Sequence, residues 1–160
     1  MDLALACGHG PEELANLDGW RPLIRESDVL LRAHRDVEDP TIYRARAIFD
    51  SAVRRHDLDA LRRGGVARVV QDGLVAICGD GARGLWIHVD VDVLDSTIMP
   101  AVDSPQPGGL RAAELVEGLR AALTTGLAVG LQVTIFDPDL DSGGGFAREL
   151  TDLLVDVLAR

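Results

Sequence analysis

Aromatic side chains are scarce in this 160-residue chain, at 4%, so any core must be built mostly from Leu, Val, Ala and Ile. There are two cysteines, Cys7 and Cys78, far apart and in no Cys-x-x-Cys pattern. That argues against a disulfide framework and fits a reduced, cytoplasmic setting. Basic residues are few, 16 against 26 acidic ones, for a net charge of -10. Such a surface argues against nucleic-acid and anionic-membrane partners, which require positive charge. No apolar run reaches the roughly 18 residues of a membrane span. The opening "MDLALACGHG" lacks the basic stretch of a signal peptide. Repeats, low-complexity tracts and long linkers are also absent, and residues 1–160 read as one domain.

What the chain does have is apolar content, 47%, arranged in an alternation of β-rich and helical runs. Residues 1–7 read as a helical turn or two, and Pro11 is placed for the first turn of a second short helix. Strands are expected at 27–36, 84–91 and 126–136. Helical spacing covers 39–50, 57–78 with a break at Gly64–Gly65, 110–123 and 145–160. The last helix should bury Leu150, Leu153, Leu154, Val157 and Leu158. Alternating strands and helices imply an α/β fold, a three-layer αβα sandwich around a mainly parallel sheet. Ligands in such folds sit beyond the C-terminal ends of the strands.

The chemistry concentrates in "GLWIHVDVDVLD", residues 84–95. If the strand runs through it, His88, Asp90 and Asp92 share one face while Val89, Val91 and Val93 take the other. Two carboxylates at i and i+2 then stand about 7 Å apart at their Cα atoms. Unpaired they repel, and one takes up a proton. A divalent cation resolves the conflict, and oxygen donors with some imidazole suit Mn2+ or Mg2+. An isolated Asp-x-Asp more often caps a helix or pairs with arginine. Here the apolar strand, the same-face His88 and the Pro- and Gly-rich loop behind it favour the metal.

Together, "HVDVDVLD" and the following "MPAVDSPQPGGL" resemble the ureohydrolases, the family of arginase, agmatinase and formimidoylglutamase. The resemblance makes Asp90 and Asp92 ligands of a binuclear Mn2+ site, with Asp90 bridging, and makes Asp95 structural. Ser96 stands where the family usually has Pro. "LLRAHRDVEDP", 30–40, looks like another family strand end and places Glu38 where an acidic residue contacts the substrate's amino end. "GLQVTIFDPDLD", 130–141, is similar to a family segment whose Glu grips the guanidinium; Ile135 occupies that position. An aliphatic side chain cannot pair with a planar cation, which argues against arginine itself as substrate.

The resemblance covers nearly the whole chain but only the C-terminal half of a family member. The two His-containing motifs that complete the metal site, Gly-Gly-(Asn/Asp)-His and Asp-Ala-His-x-Asp, have no counterpart around His9, His34, His56 or His88. The N-terminal segment resembles an internal family segment, so Met1 can be an internal methionine. By resemblance the complete protein is a Mn2+-dependent hydrolase of a linear guanidino or formimino C–N bond. The alternative is a non-catalytic, truncated member acting as an assembly partner, or a gene remnant. In isolation the chain is expected to hold metal poorly and to associate, as a homo-oligomer or with a missing N-terminal half. No catalytic residue is assigned within it.

Overall fold

The computed structural model describes residues 2–35, 50–79 and 81–159. Two short helices, α1 (Asp2–Ala6) and α2 (Glu12–Ala15), lead into strand β1 (Leu30–His34). Strand β2 (Arg54–Asp57) follows, then helices α3 (Leu58–Gly64) and α4 (Val66–Cys78). The remainder is β3 (Leu85–Asp90), α5 (Ala112–Leu123), β4 (Ala128–Thr134) and α6 (Gly145–Leu158). The expected helix over 39–50 lies outside the described residues.

Burial follows the sequence periodicity. In β3, Ile87 and Val89 are buried while Trp86 and His88 are exposed, the two-residue alternation of a strand. Helix α4 buries Val66, Val69, Gly73 and Leu74, one helical stripe. The break between α3 and α4 falls at Gly65, whose φ of 82° a residue with a side chain adopts only at a cost. Asp57 starts α3 by accepting a 2.6 Å hydrogen bond from the Ala60 amide. In α6, Leu150 and Val157 are buried and Leu153 and Leu154 partly so, as the spacing predicts. Leu158 is 51% exposed, contrary to expectation, while its neighbour Val157, 2% exposed, takes the buried side of the last turn.

Both strand pairs are parallel: β1 with β2, and β3 with β4. Among the described residues they form two separate two-stranded sheets. One buried cluster spans both, joining Ala33, Leu58 and Leu61 to Ile87, Val89, Leu115, Leu119 and Leu150. Strand β2 carries no strand signal of its own, since "RRHD" has no β-branched residue; its pairing with β1 creates it. The strand expected at 27–36 is shorter, because residues 26–28 form a 3-10 turn. The strand expected through residue 91 stops at Asp90, and Val91–Val93 is also a 3-10 turn.

Helix α3 is tied to the loop before α5 by Arg62. Its guanidinium makes a two-pronged ion pair with Glu114 at 2.8 and 2.9 Å and donates to the Gly109 carbonyl at 2.8 Å. Glu114 also accepts from the Arg111 amide, capping α5. Arg62, first among these partners, holds the Glu114 carboxyl at about 2, well below the usual range.

Candidate metal-binding site

The 3-10 turn after β3 decides the geometry of the two candidate ligands. Val91, fully buried, and Leu94, 2% exposed, anchor the turn in the core. Asp92 is therefore not on the strand with Asp90. Across that turn the Asp92 carboxyl still feels the charge of Asp90. Burial, followed by the charge of Asp90, raises the Asp92 pKa; Arg35 opposes the shift and Asp103 adds to it. Oδ1 of Asp90 is buried and has no hydrogen-bond partner. A buried, unpartnered carboxylate oxygen beside a second carboxylate matches a hard divalent cation, so the pair fits as part of a metal shell. Among the described residues, no cluster of three or more His, Cys, Asp or Glu side chains could hold a metal ion. His88 lies on the Asp90 face of β3, but its Nε2 is 3.2 Å from the hydroxyl of Thr134 on β4. Glu38 lies outside the described residues.

Arg35, which has no signal in the local sequence, helps to fix the position of Asp92. Its guanidinium donates to the Asp92 backbone carbonyl and, at 2.9 Å, to the Gln106 carbonyl. Just before Arg35, β1 carries a bulge, where the register shifts between Arg32 and His34 and Ala33 takes a φ of 60°. Only a tertiary contact 57 residues apart in sequence joins Arg35 to Asp92.

Asp95 closes the loop from inside. It accepts from the Thr97 hydroxyl at 2.6 Å, the Thr97 amide at 2.9 Å and the Gly108 amide at 2.6 Å. Those bonds, the Thr97 hydroxyl first, hold its carboxyl at about 2. The folded pKa lies below the unfolded one, so this stabilisation is complete above about pH 4 and is lost as the pH falls through about 2. The urea midpoints of the wild type and Asp95→Asn are expected to differ at neutral pH and to converge across that interval. A constant gap would show that the charge of Asp95 is not what closes the loop.

Ile135 lies one residue beyond β4, with a φ of 69°, a conformation rarely adopted by a β-branched residue. Strand alternation therefore does not carry through to it. The glycine-rich entry to α6 is filled by the chain itself: Asp141 accepts from the amides of Gly145 and Ala147 at 2.9 and 2.8 Å. His9 pairs with Glu26, and His56 is exposed. Cys7 and Cys78 form no disulfide. No helix among the described residues is long and apolar enough to cross a membrane.

The family model described as "Arginase family" matches residues 20–159. The chain is 27% identical over 157 residues to arginase of Brevibacillus brevis, covering 98% of this chain and 51% of that protein. It is 23% identical over 160 residues to arginase of Bacillus subtilis strain 168, covering 100% of this chain and 52% of that one. The crystal structure of that Bacillus subtilis enzyme superposes with a TM-score of 0.84 at 23% identity, covering 99% of this chain and 52% of its own. The chain thus spans about half the length of the relatives it matches, and its α/β architecture is that of part of the arginase fold. The chain belongs to the arginase family.

Proposed function

We propose that this chain supplies one wall of a binuclear Mn2+ site in a hydrolase of a linear guanidino or formimino C–N bond. The observation that supports this most directly is the buried, unpartnered Oδ1 of Asp90 beside the Asp92 carboxyl. Asp90 and Asp92 would hold the metal, and a bound pair of divalent ions would supply Lewis acidity toward water, the nucleophile for the substrate's planar carbon. Arg35 orients Asp92 by gripping its backbone carbonyl, and Asp95 keeps the following loop closed. Glu38 would meet the substrate's amino end. Ile135 presents an aliphatic side chain where a guanidinium would require a carboxylate, which disfavours arginine and favours a less cationic substrate. The remaining ligands would come from a partner carrying the other half of the family's length, in a cytoplasmic setting. The lack of a third ligand among the described residues favours a second reading, a non-catalytic assembly partner, for the chain by itself.

The chain alone is expected to bind manganese weakly, with a Kd of roughly 0.1–1 mM, because two carboxylates leave most of the shell to water. Asp90→Asn should weaken binding by about tenfold or more. Loss of the free-ion electron paramagnetic resonance signal during titration measures both. Two tightly held ions on a monomer, or binding indifferent to Asp90→Asn, would overturn the reading. Manganese-dependent urea release in the presence of a complementary half would separate the enzyme from the assembly partner.

A further inference from the structure

Strands β3 and β4 are parallel, and parallel sheets occur almost only with both faces covered. One face of this pair meets that requirement through Ile87 and Val89, which lie in the core cluster. The other face carries Trp86, His88 and Asp90 on β3, in register with Gly130, Gln132 and Thr134 on β4. Trp86 is 61% exposed there, and His88 and Gln132 are exposed as well. The Trp86 ring lies across β4 at Gly130, where an added Cβ would stand 2.1 Å from it. Charged residues make up 26% of the chain, yet this face has one, Asp90 at its end. An aromatic anchor without neighbouring charges is the composition of an interface centre.

The edge of β3 points the same way. The Leu85 amide donates to the Leu127 carbonyl at 2.7 Å. Backbone groups alternate sides along a strand, so those of Leu85, Ile87 and Val89 face β4. Those of Trp86, His88 and Asp90 face the opposite side, where no described strand pairs with them. An open row of this kind is a template for another strand. Nothing on this face resembles the lysines or prolines that blunt a natural edge.

We infer that this face and edge, centred on Trp86, form the docking surface for the other half of an arginase-family domain, which lays apolar structure over Trp86 and extends the sheet beside β3. The inference rests on the reading of the chain as one wall of the site, and it names the surface that joins the walls. The occupant follows from length: the superposition covers 99% of this chain but 52% of the Bacillus subtilis enzyme. A second copy of the chain is the weaker candidate, since each copy carries a net charge of -10 and like charges oppose association.

The test uses the 160-residue chain with Trp20→Phe, which leaves Trp86 as its single tryptophan. It is co-expressed with a tagged segment of Bacillus subtilis arginase, and separately with one of Brevibacillus brevis arginase, each being the half that the match leaves uncovered. EDTA is present throughout, and tryptophans of the partner segments are replaced by Phe. Expected results are a one-to-one complex, a shift of Trp86 emission to shorter wavelength and loss of most of its iodide quenching. Trp86→Asp should abolish the complex while far-ultraviolet circular dichroism stays unchanged, and Trp86→Phe should retain it. The inference is overturned by no complex with either segment, by a complex in which Trp86 stays quenchable, or by Trp86 shielding that rises with concentration of the chain alone. A complex that shields Trp86 but takes up no manganese once EDTA is removed sinks the metal reading alone. Manganese uptake with Trp86 still quenchable sinks the docking surface alone.

Discussion

Gly109→Ala is expected to cost about 3 kcal/mol or more, toward the upper end for an overpacked site. In a domain of this size that lowers the thermal midpoint by about 6–12 °C. A Cβ at residue 109 would lie 2.3 Å from the Leu94 carbonyl carbon and 2.4 Å from both the Leu94 oxygen and the Asp95 nitrogen. These are backbone atoms, so no side-chain rotation relieves the contact. The two segments cannot separate cheaply either. Asp95 N–H donates to the Leu110 carbonyl at 3.0 Å, and Leu110 N–H to the Val93 carbonyl at 2.8 Å. The neighbouring Gly108 provides the control. Its φ is 82° and an added Cβ would meet nothing within 4 Å, so Gly108→Ala pays only for a left-handed backbone, about 1–2 kcal/mol. Gly108→Asn should recover part of that. Thermal unfolding followed by circular dichroism compares the three variants. If Gly109→Ala is no worse than Gly108→Ala, the close approach is not what demands the second glycine.

Leu94→Ala is expected to cost about 2–5 kcal/mol, the range for truncating a buried leucine. Leu94 is 2% exposed and lies between Asp92 and Asp95, in the cluster that contains Val91, Met99, Val102 and Leu110. It also bridges to Leu110 on the far side of the loop. Its removal should loosen the segment that carries both candidate ligands. Leu158→Ala is the matched comparison: that side chain is 51% exposed, and the substitution should stay within about 0.5 kcal/mol. Urea midpoints of the two variants at neutral pH test the contrast. A similar small effect for both would mean that Leu94 is not an anchor of the loop.

Local pattern made much of this molecule legible. The alternation over residues 85–90 gives a strand with Asp90 on its outer face, and the four-residue leucine steps in α5 give its buried stripe. Other features depend on partners distant in the chain. Strand β2 has no β-forming composition and exists through pairing with β1. The ion pair between Arg62 and Glu114 joins positions 52 apart. No periodicity could signal the grip of Arg35 on Asp92, a contact between positions 57 apart. Sequence alternation also misplaced Asp92: it continued the strand through a point where the burial of Val91 and Leu94 makes a tight turn more favourable.

By itself, then, the sequence determined the helix and strand periodicities, the paired carboxylates behind an apolar run, the Gly-Gly turn and the family they resemble. Each of these depends on neighbours a few residues apart, whose side chains already state their preference. Tertiary structure decided how close Asp92 comes to Asp90, which oxygen is left without a partner and which face of the β3–β4 pair lies bare. Those outcomes depend on distant segments competing for the same buried space and the same hydrogen bonds, and that competition is settled only when the chain folds.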